Sequence, residues 1–274
     1  MKKIGSVTIF FISVFFLTSC ASSSSSSDQG FSRVNDEQLN KINSMYYSFS
    51  SRGFTSAVLR CKSLFFGEMV SRIKDPILKG QLQNTVFTVE WVKPSKFSGR
   101  VDNVPELPKK TDNDVLVKAI VHAKDRMRGA IQMDAFFFDG IFAGKNVFVG
   151  QESEKLDGLN IFDVKNSQHQ TILKLYFDGK FLLNKIELIE GTQVKTEIKY
   201  QFDELSEGKY LLKSANAVYP GSAITSSIDV FYDKKDGLIV PQQIKIKSTI
   251  GNEVVDDTID IVSCIPYAYT GPGQ

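Results

Sequence analysis

The side chains in this sequence that could carry acid–base, metal or nucleophilic chemistry are few and scattered. His122 and His169 are the only histidines among its 274 residues, and histidine is the side chain best placed to trade a proton near neutral pH. His122 ends the run Val115–His122, which reads as a strand, and His169 lies in the polar stretch Asn166–Gln170. Neither keeps the company that catalysis needs. No Gly-x-Ser-x-Gly elbow, His-Glu-x-x-His helix or cysteine-pair metal spacing occurs. Asp256, Asp257 and Asp260 stand close together. In a strand, however, alternation sends Asp256 and Asp260 to one face and Asp257 to the other, which divides the cluster. The expectation is a protein that is not an enzyme and needs no metal or cofactor.

The thiol with an evident use is Cys20. Lys2 and Lys3 make a basic start, and Ile4–Leu17 form an apolar stretch interrupted by Gly5, Ser6, Thr8 and Ser13. Small residues then precede the cysteine, which is the layout of a secretory signal. The stretch is shorter than the ~20 apolar residues that a membrane span requires. Leu17-Thr18-Ser19-Cys20 resembles the bacterial lipobox, in which signal peptidase cuts before a cysteine bearing a diacylglyceryl group and an amide-linked acyl chain. The alternative is an ordinary signal with an incidental cysteine. Ala21, six serines (Ser22–Ser27), Asp28, Gln29 and Gly30 follow, with nothing to bury, and read as a solvated tether. Two or three acyl chains at ~0.8 kcal/mol per buried methylene anchor a protein that has no membrane-spanning helix. The implied partner is therefore a membrane, on the extracytoplasmic side. Ala21 after the lipidated position resembles proteins sorted to the outer membrane.

Charge excludes another class. The 33 basic residues less Lys2 and Lys3 leave 31 against 31 acidic ones, so the mature chain has no net field to steer it toward nucleic acid. Cys61 and Cys264 remain, an even pair in an oxidising compartment. Either they are two buried thiols or they form a disulfide tying the first strand of the domain to its last. Such a bridge would close a loop of about 200 residues, worth several kcal/mol in the chain-entropy model.

The elements that must position these residues divide into an irregular first half and a regular second half. Leu39, Ile42, Tyr46 and Phe49 recur at helical spacing over Asn35–Phe49, with Asn35 or Asp36 as N-cap and Gly53 as stop. This predicts an amphipathic lid. Phe54–Phe66 reads as a first strand, Glu68–Gln81 as an ambiguous helix interrupted by Pro76, and Asn84–Val92 as a strand whose Trp91 side is apolar. Lys93–Phe97 bends that strand, and Val101–Thr111 with its prolines reads as a loop. Phe136–Gly144 packs four phenylalanines, Phe137 and Phe142 among them, between glycines. It reads either as a buried strand with a turn or as an apolar flap over a cavity.

Beyond residue 170, turn signals at Asp178-Gly179, Glu190-Gly191, Glu207-Gly208, Pro220-Gly221, Asp236-Gly237 and Gly251-Asn252 mark out a meander of long strands. Thr196, Ile198, Tyr200 and Phe202 face one way while Lys195, Glu197, Lys199 and Gln201 face the other. Ile228 and Val230 repeat the pattern, as do Ile244 and Ile246 and then Val255, Ile259 and Ile261, with Asp257 a polar blemish on the inner side. A one-sided sheet of long strands must twist and cover its apolar face. The expected fold is mainly β with minor α: a curved antiparallel sheet, half-barrel or open barrel, with a helical lid. The expected bounds are 1–19 signal, 20–33 lipidated tether, 34–266 one domain and 267–274 tail.

The lipobox, the N-terminal helix, the break at Trp91–Phe97, the Asp139-Gly140 turn and Asp236-Gly237-Leu238-Ile239-Val240-Pro241 before Ile244-Lys245-Ile246 together resemble the lipoprotein-localisation carrier and receptor superfamily. That superfamily comprises proteins like LolA and LolB and the mycobacterial lipid-carrying lipoproteins. The resemblance spans about Asn35–Cys264, with no counterpart for Thr111–Gln170. It implies a half-barrel closed by a few helices around a cavity for acyl chains, and binding without covalent chemistry. The implied wall is Tyr46, Phe49, Ile198, Tyr200, Phe202, Ile228, Val230, Ile244 and Ile246, with Phe137 and Phe142 as a gate. The competing class is a non-catalytic envelope scaffold, with a filled barrel and a protein partner.

Overall fold

A computed structural model of the chain describes residues 32–93, 96–105, 112–133, 142, 146–150 and 158–268. It is mainly β, 54% strand against 21% helix, and its strands form one antiparallel sheet that does not close. The half-barrel architecture expected from the alternation is therefore the one observed. Three strands come first: β1 (Ser56–Ser63), β2 (Val86–Val92) and β3 (Lys96–Asp102). The remainder is a meander through β4 (Asn146–Val149), β5 (Asn160–Lys165), β6 (Thr171–Phe177), β7 (Leu183–Glu190), β8 (Gln193–Glu204), β9 (Tyr210–Tyr219), β10 (Ile224–Lys235), β11 (Leu238–Ile250) and β12 (Glu253–Tyr267).

Sheet order is β3-β2-β1-β12-β11-β10-β9-β8-β7-β6-β5-β4, so a single non-sequential pairing, β1 with β12, joins the two runs. Its register runs from Ser56 opposite Tyr267 to Ser63 opposite Ile259. Each turn foreseen beyond residue 170 separates two strands. At the tightest, Asp236 (φ 51°) and Gly237 (φ 79°) both take left-handed backbone, the primed geometry that matches the twist of long hairpins. Pro241 sits opposite Tyr232 at a bulge, where a missing N–H costs no ladder bond. Arg33 bridges to Phe148, which adds residues 32–34 to the β4 edge, and β12 runs to Tyr267.

The first half departs from expectation for local reasons. Helix α1 (Asp36–Ser44) begins at the Asn35 cap, whose side chain accepts from Gln38 N–H, but it stops before Tyr46 and Phe49. Those two residues lie on the following segment, where Tyr46 bridges to Tyr210. The expected strand over Phe54–Phe66 ends at Ser63, because the Ser63 hydroxyl accepts from Phe66 N–H and opens helix α2 (Leu64–Ser71). Pro76 starts a helix rather than interrupting one. It is the first residue of α3 (Pro76–Gln83), behind an Asp75 side chain that accepts from Ile77 and Leu78 N–H.

The largest correction is at Val115–His122, which is not a strand but part of the 22-residue helix α4 (Asp112–Met133). Ile120, Ala123, Met127, Ala130 and Ile131 are buried at helical spacing, whereas Val117, Val121 and His122 are exposed. The β-branched run suggested extended chain, yet the stripe that follows it packs on β1, β2 and β3. Gly99 of β3 permits the close approach, since a Cβ there would stand 3.3 Å from Lys124 Cγ.

Asp257, the blemish on the inner face of β12, is where helices and sheet are joined. Its carboxylate accepts from the Ser63 hydroxyl at 2.9 and 3.1 Å and from Phe65 N–H at 3.1 Å, and it pairs with Arg126 of α4 at 3.4 Å. Both side chains of the ion pair are more than 90% buried. The Arg126 guanidinium also lies 5.6 Å over the Phe65 ring. A buried pair is costly to break and cheap to replace as a unit. Asp257→Ala is expected to lower stability by about 3–5 kcal/mol in urea unfolding, and Asp257→Leu combined with Arg126→Met to recover most of that loss. A single variant as stable as wild type would contradict this role.

Candidate functional site

The candidate site is the concave face of the half-barrel. Cross-strand register places the expected wall residues side by side on β8 to β11. One row runs Tyr200, Ala215, Ile228, Ile246, Asp257, and the next runs Ile198, Ala217, Ser226, Ser248, Val255. Val230, Ile244 and Ile259 make a third row on the other side of the first. Ile198, Tyr200, Ile228, Val230, Ile244 and Ile246 are all buried. Opposite-facing Lys199, Asp229, Lys245 and Lys247 are exposed, so the wet side is as the alternation predicted. The second row is lined by small side chains, with the Ser226 and Ser248 hydroxyls 3.1 Å apart.

Two rims bound this face. One carries the β6–β7, β8–β9 and β10–β11 turns together with the last residues of β2 and β12. The other carries the β5–β6, β7–β8, β9–β10 and β11–β12 turns. The segment after α1 packs across the first rim. Tyr46, 1% exposed, receives Leu183 N–H at 2.8 Å and donates to Phe181 C=O at 3.3 Å, while its ring lies 5.2 Å from that of Phe202. Tyr47 receives Ile239 N–H at 2.8 Å. Phe49 is fully buried against Phe54, and Arg52 pairs with Glu207 at 3.2 Å. Tyr46 thus pins the segment to the β6–β7 turn and rests on the half-buried Phe202, whereas Phe49 packs within the segment on Phe54. Phe142 is buried elsewhere, stacked 6.5 Å from Phe177 of β6. Phe137 lies outside the described residues, as do Cys20 and its tether.

Sequence reasoning missed the far wall. Phe162 and Val164 of β5, Leu173, Leu175 and Phe177 of β6 and Leu183 and Ile186 of β7 join the same apolar cluster. The alternation in Thr171–Phe177 was the available signal.

Cys61 and Cys264 are thiols, not the expected bridge. The register explains it. The β1–β12 ladder sets Leu59 opposite Cys264 and, past a bulge, Cys61 opposite Ile261, so the two cysteines are diagonal neighbours. Diagonal positions in a regular ladder stand ~7–8 Å apart at Cα, beyond the ~4.4–6.8 Å that a disulfide spans. The tie between first and last strands exists, but it is made of backbone hydrogen bonds.

Among the described residues no group of three or more His, Cys, Asp and Glu could hold a metal ion, and no helix is long and apolar enough to cross a membrane. His122 is exposed on α4, and His169 sits in the β5–β6 turn with φ 60°. Compared with protein-family models, with curated proteins and with solved structures, the chain matches none.

Three buried groups, Cys61, Tyr200 and Tyr46, are held protonated by burial. Burial, then the neighbouring Cys264, pushes the Cys61 thiol up to about 12. Burial also raises the Tyr200 phenol, and it raises that of Tyr46 despite the opposing hydrogen bond from Leu183. An unfolded chain would release these protons at their ordinary values, 9.0 for the thiol and 10.0 for the phenols, so deprotonation favours unfolding. Stability is therefore fully present below pH 9 and falls as pH rises toward 12. Urea unfolding at pH 8, 10 and 11 is expected to show that decline, with Cys61→Ala flattening its start and Tyr200→Phe its upper part. Equal stability at pH 8 and 11 would contradict it.

Proposed function

We propose that this chain is an outer-membrane-type lipoprotein facing the periplasm. It is acylated at Cys20 and holds acyl chains of lipids or lipoproteins against its concave face, receiving them from or delivering them to the nearby membrane. It performs no covalent chemistry and needs no cofactor. One observation supports the reading most: the large apolar face belongs to a sheet that does not close, so its interior is bounded by cover elements rather than by strands all round. Acyl chains gain ~25 cal/mol per Å² of apolar area removed from water, without directional contacts. Such cargo leaves only when a bilayer or a second apolar cavity competes for it. The small row of Ala217, Ser226 and Ser248 is consistent with chains lying across the strands.

A scaffold with a filled interior has its own support. Tyr46, Phe49, Phe202 and Tyr200 pack ring against ring or against the rim turns, and Trp91 and Phe87 are fully buried under the helices. Such a protein would use its wet face or sheet edge to bind an envelope partner. Content decides between the two. The Cys20→Ala chain, purified without detergent and extracted into organic solvent, is expected to yield acyl lipid at about one molecule or more per chain by mass spectrometry. A well-folded chain that yields none would overturn the carrier reading and favour the scaffold.

A further inference from the structure

Only one rim of the concave face is strapped. The Met45–Phe54 segment is bonded to the turns of the first rim through the Tyr46 and Tyr47 hydroxyls. Among the described residues no segment is bonded across the β7–β8, β9–β10 and β11–β12 turns opposite. Backbone bonds there run within a turn or between neighbouring turns, as from Gly251 N–H to Ala223 C=O. The inward side chains closest to those turns, Tyr219, Ile224 and Ile250, are half-buried.

The uncharged polar groups of the inner face gather toward this second rim, and they are hydroxyls. Ser226 and Ser248 stand opposite each other, their oxygens 3.1 Å apart. That contact uses one of the two hydroxyl hydrogens, and among the described residues neither side chain makes another hydrogen bond. One hydrogen is left to donate. Thr196, the inward residue two places along β8 from Ile198, is 2% exposed, and its hydroxyl makes no hydrogen bond among the described residues. A buried hydroxyl without a partner is costly, and a ligand that pairs with it offsets that cost.

Charge is scarce in the same place. From the row of Ile198, Ala217, Ser226, Ser248 and Val255 to the turns, the one charged residue at an inward position of β8 to β12 is Glu253, an acid. Arg126, the cation buried beside this face, is paired with Asp257.

We infer that the hydroxyl cluster seats the polar end of the acyl cargo and that this end is an uncharged ester. The Ser226–Ser248 pair donates to the ester carbonyl oxygen, and the hydrocarbon runs from there over Ala217 and Ile198 toward Ile186 and Leu175 of the far wall. The inference rests on the carrier reading and adds to it the class of cargo. A few placed polar groups in an apolar site fix the orientation of a ligand. A carboxylate or phosphate at the same place would meet Glu253 and no cation at an inward position.

Displacement of a fluorescent fatty acid from the lipid-stripped Cys20→Ala chain at pH 8 tests this. The competitors are methyl oleate, ionised oleate and the hydrocarbon heptadecene, which carry the same tail with different ends. Methyl oleate is expected to bind at least fivefold more tightly than either of the others. Adding Ser226→Ala and Ser248→Ala together, with near-ultraviolet circular dichroism to establish folding, is expected to abolish the advantage over the hydrocarbon and leave hydrocarbon affinity within twofold. Equal affinities or tighter oleate on the parent chain, or an ester preference that the folded double variant keeps, would overturn the ester site and leave the carrier reading standing. Saturable binding of none of these probes would overturn both.

Discussion

Everything in this fold answers to one constraint, the apolar inner face of a long antiparallel sheet. Strict alternation along β8 to β12 puts Ile198, Tyr200, Ile228, Val230, Ile244, Ile246, Ile259 and Ile261 on one side, and no part of that surface can be left in water. Curling the sheet covers some of it. The rest is covered by α2 and α4 over β1, β2, β3 and β12, and by the segment from Met45 to Phe54 across one rim. The covers are held by polar contacts at their edges: Asp257 fastens both helices, and the Tyr46 and Tyr47 hydroxyls fasten the segment. Directional bonds set position here, while burial supplies the driving force.

The second half of the fold was legible because period-two alternation and turn chemistry agree there. Glu190-Gly191, Glu207-Gly208 and Asp236-Gly237 stand where the backbone needs positive φ, and they fix strand ends and hence which face each residue occupies. The first half was less legible because its elements are decided by contacts distant in sequence. Ser63 stops β1 as much through Asp257 as through its own cap. Val115–His122 resembles a strand until Ile120, Ala123 and Met127 are seen to face the sheet. The disulfide failed for a similar reason: pairing first and last strands was a sound expectation, but the ladder register, invisible in the sequence, sets Cys264 opposite Leu59 rather than Cys61.

Of the candidate site, the β8–β11 wall was legible and the role of its aromatic neighbours was not. Alternation identifies which side chains point inward, yet it does not say whether a buried ring lines a space or fills one. Tyr46 illustrates the difference, since its hydroxyl is committed to the backbone at Phe181 and Leu183. Nor does alternation reveal burial on a nominally wet face. Asp163 and Lys165 of β5 are only 8% and 6% exposed, and Lys165 lies 4.6 Å over the Phe148 ring.

The central claim is that the concave face takes acyl chains along the strip where its side chains are smallest. Titration of the lipid-stripped Cys20→Ala chain with a fluorescent fatty acid tests it most directly, with the Ala217→Leu and Ser248→Leu variants alongside and near-ultraviolet circular dichroism to establish their folding. The account predicts saturable, stoichiometric emission for the parent chain, weakened at least tenfold by either filling substitution. Emission that never saturates, or saturable binding that the folded variants leave unchanged, would contradict it.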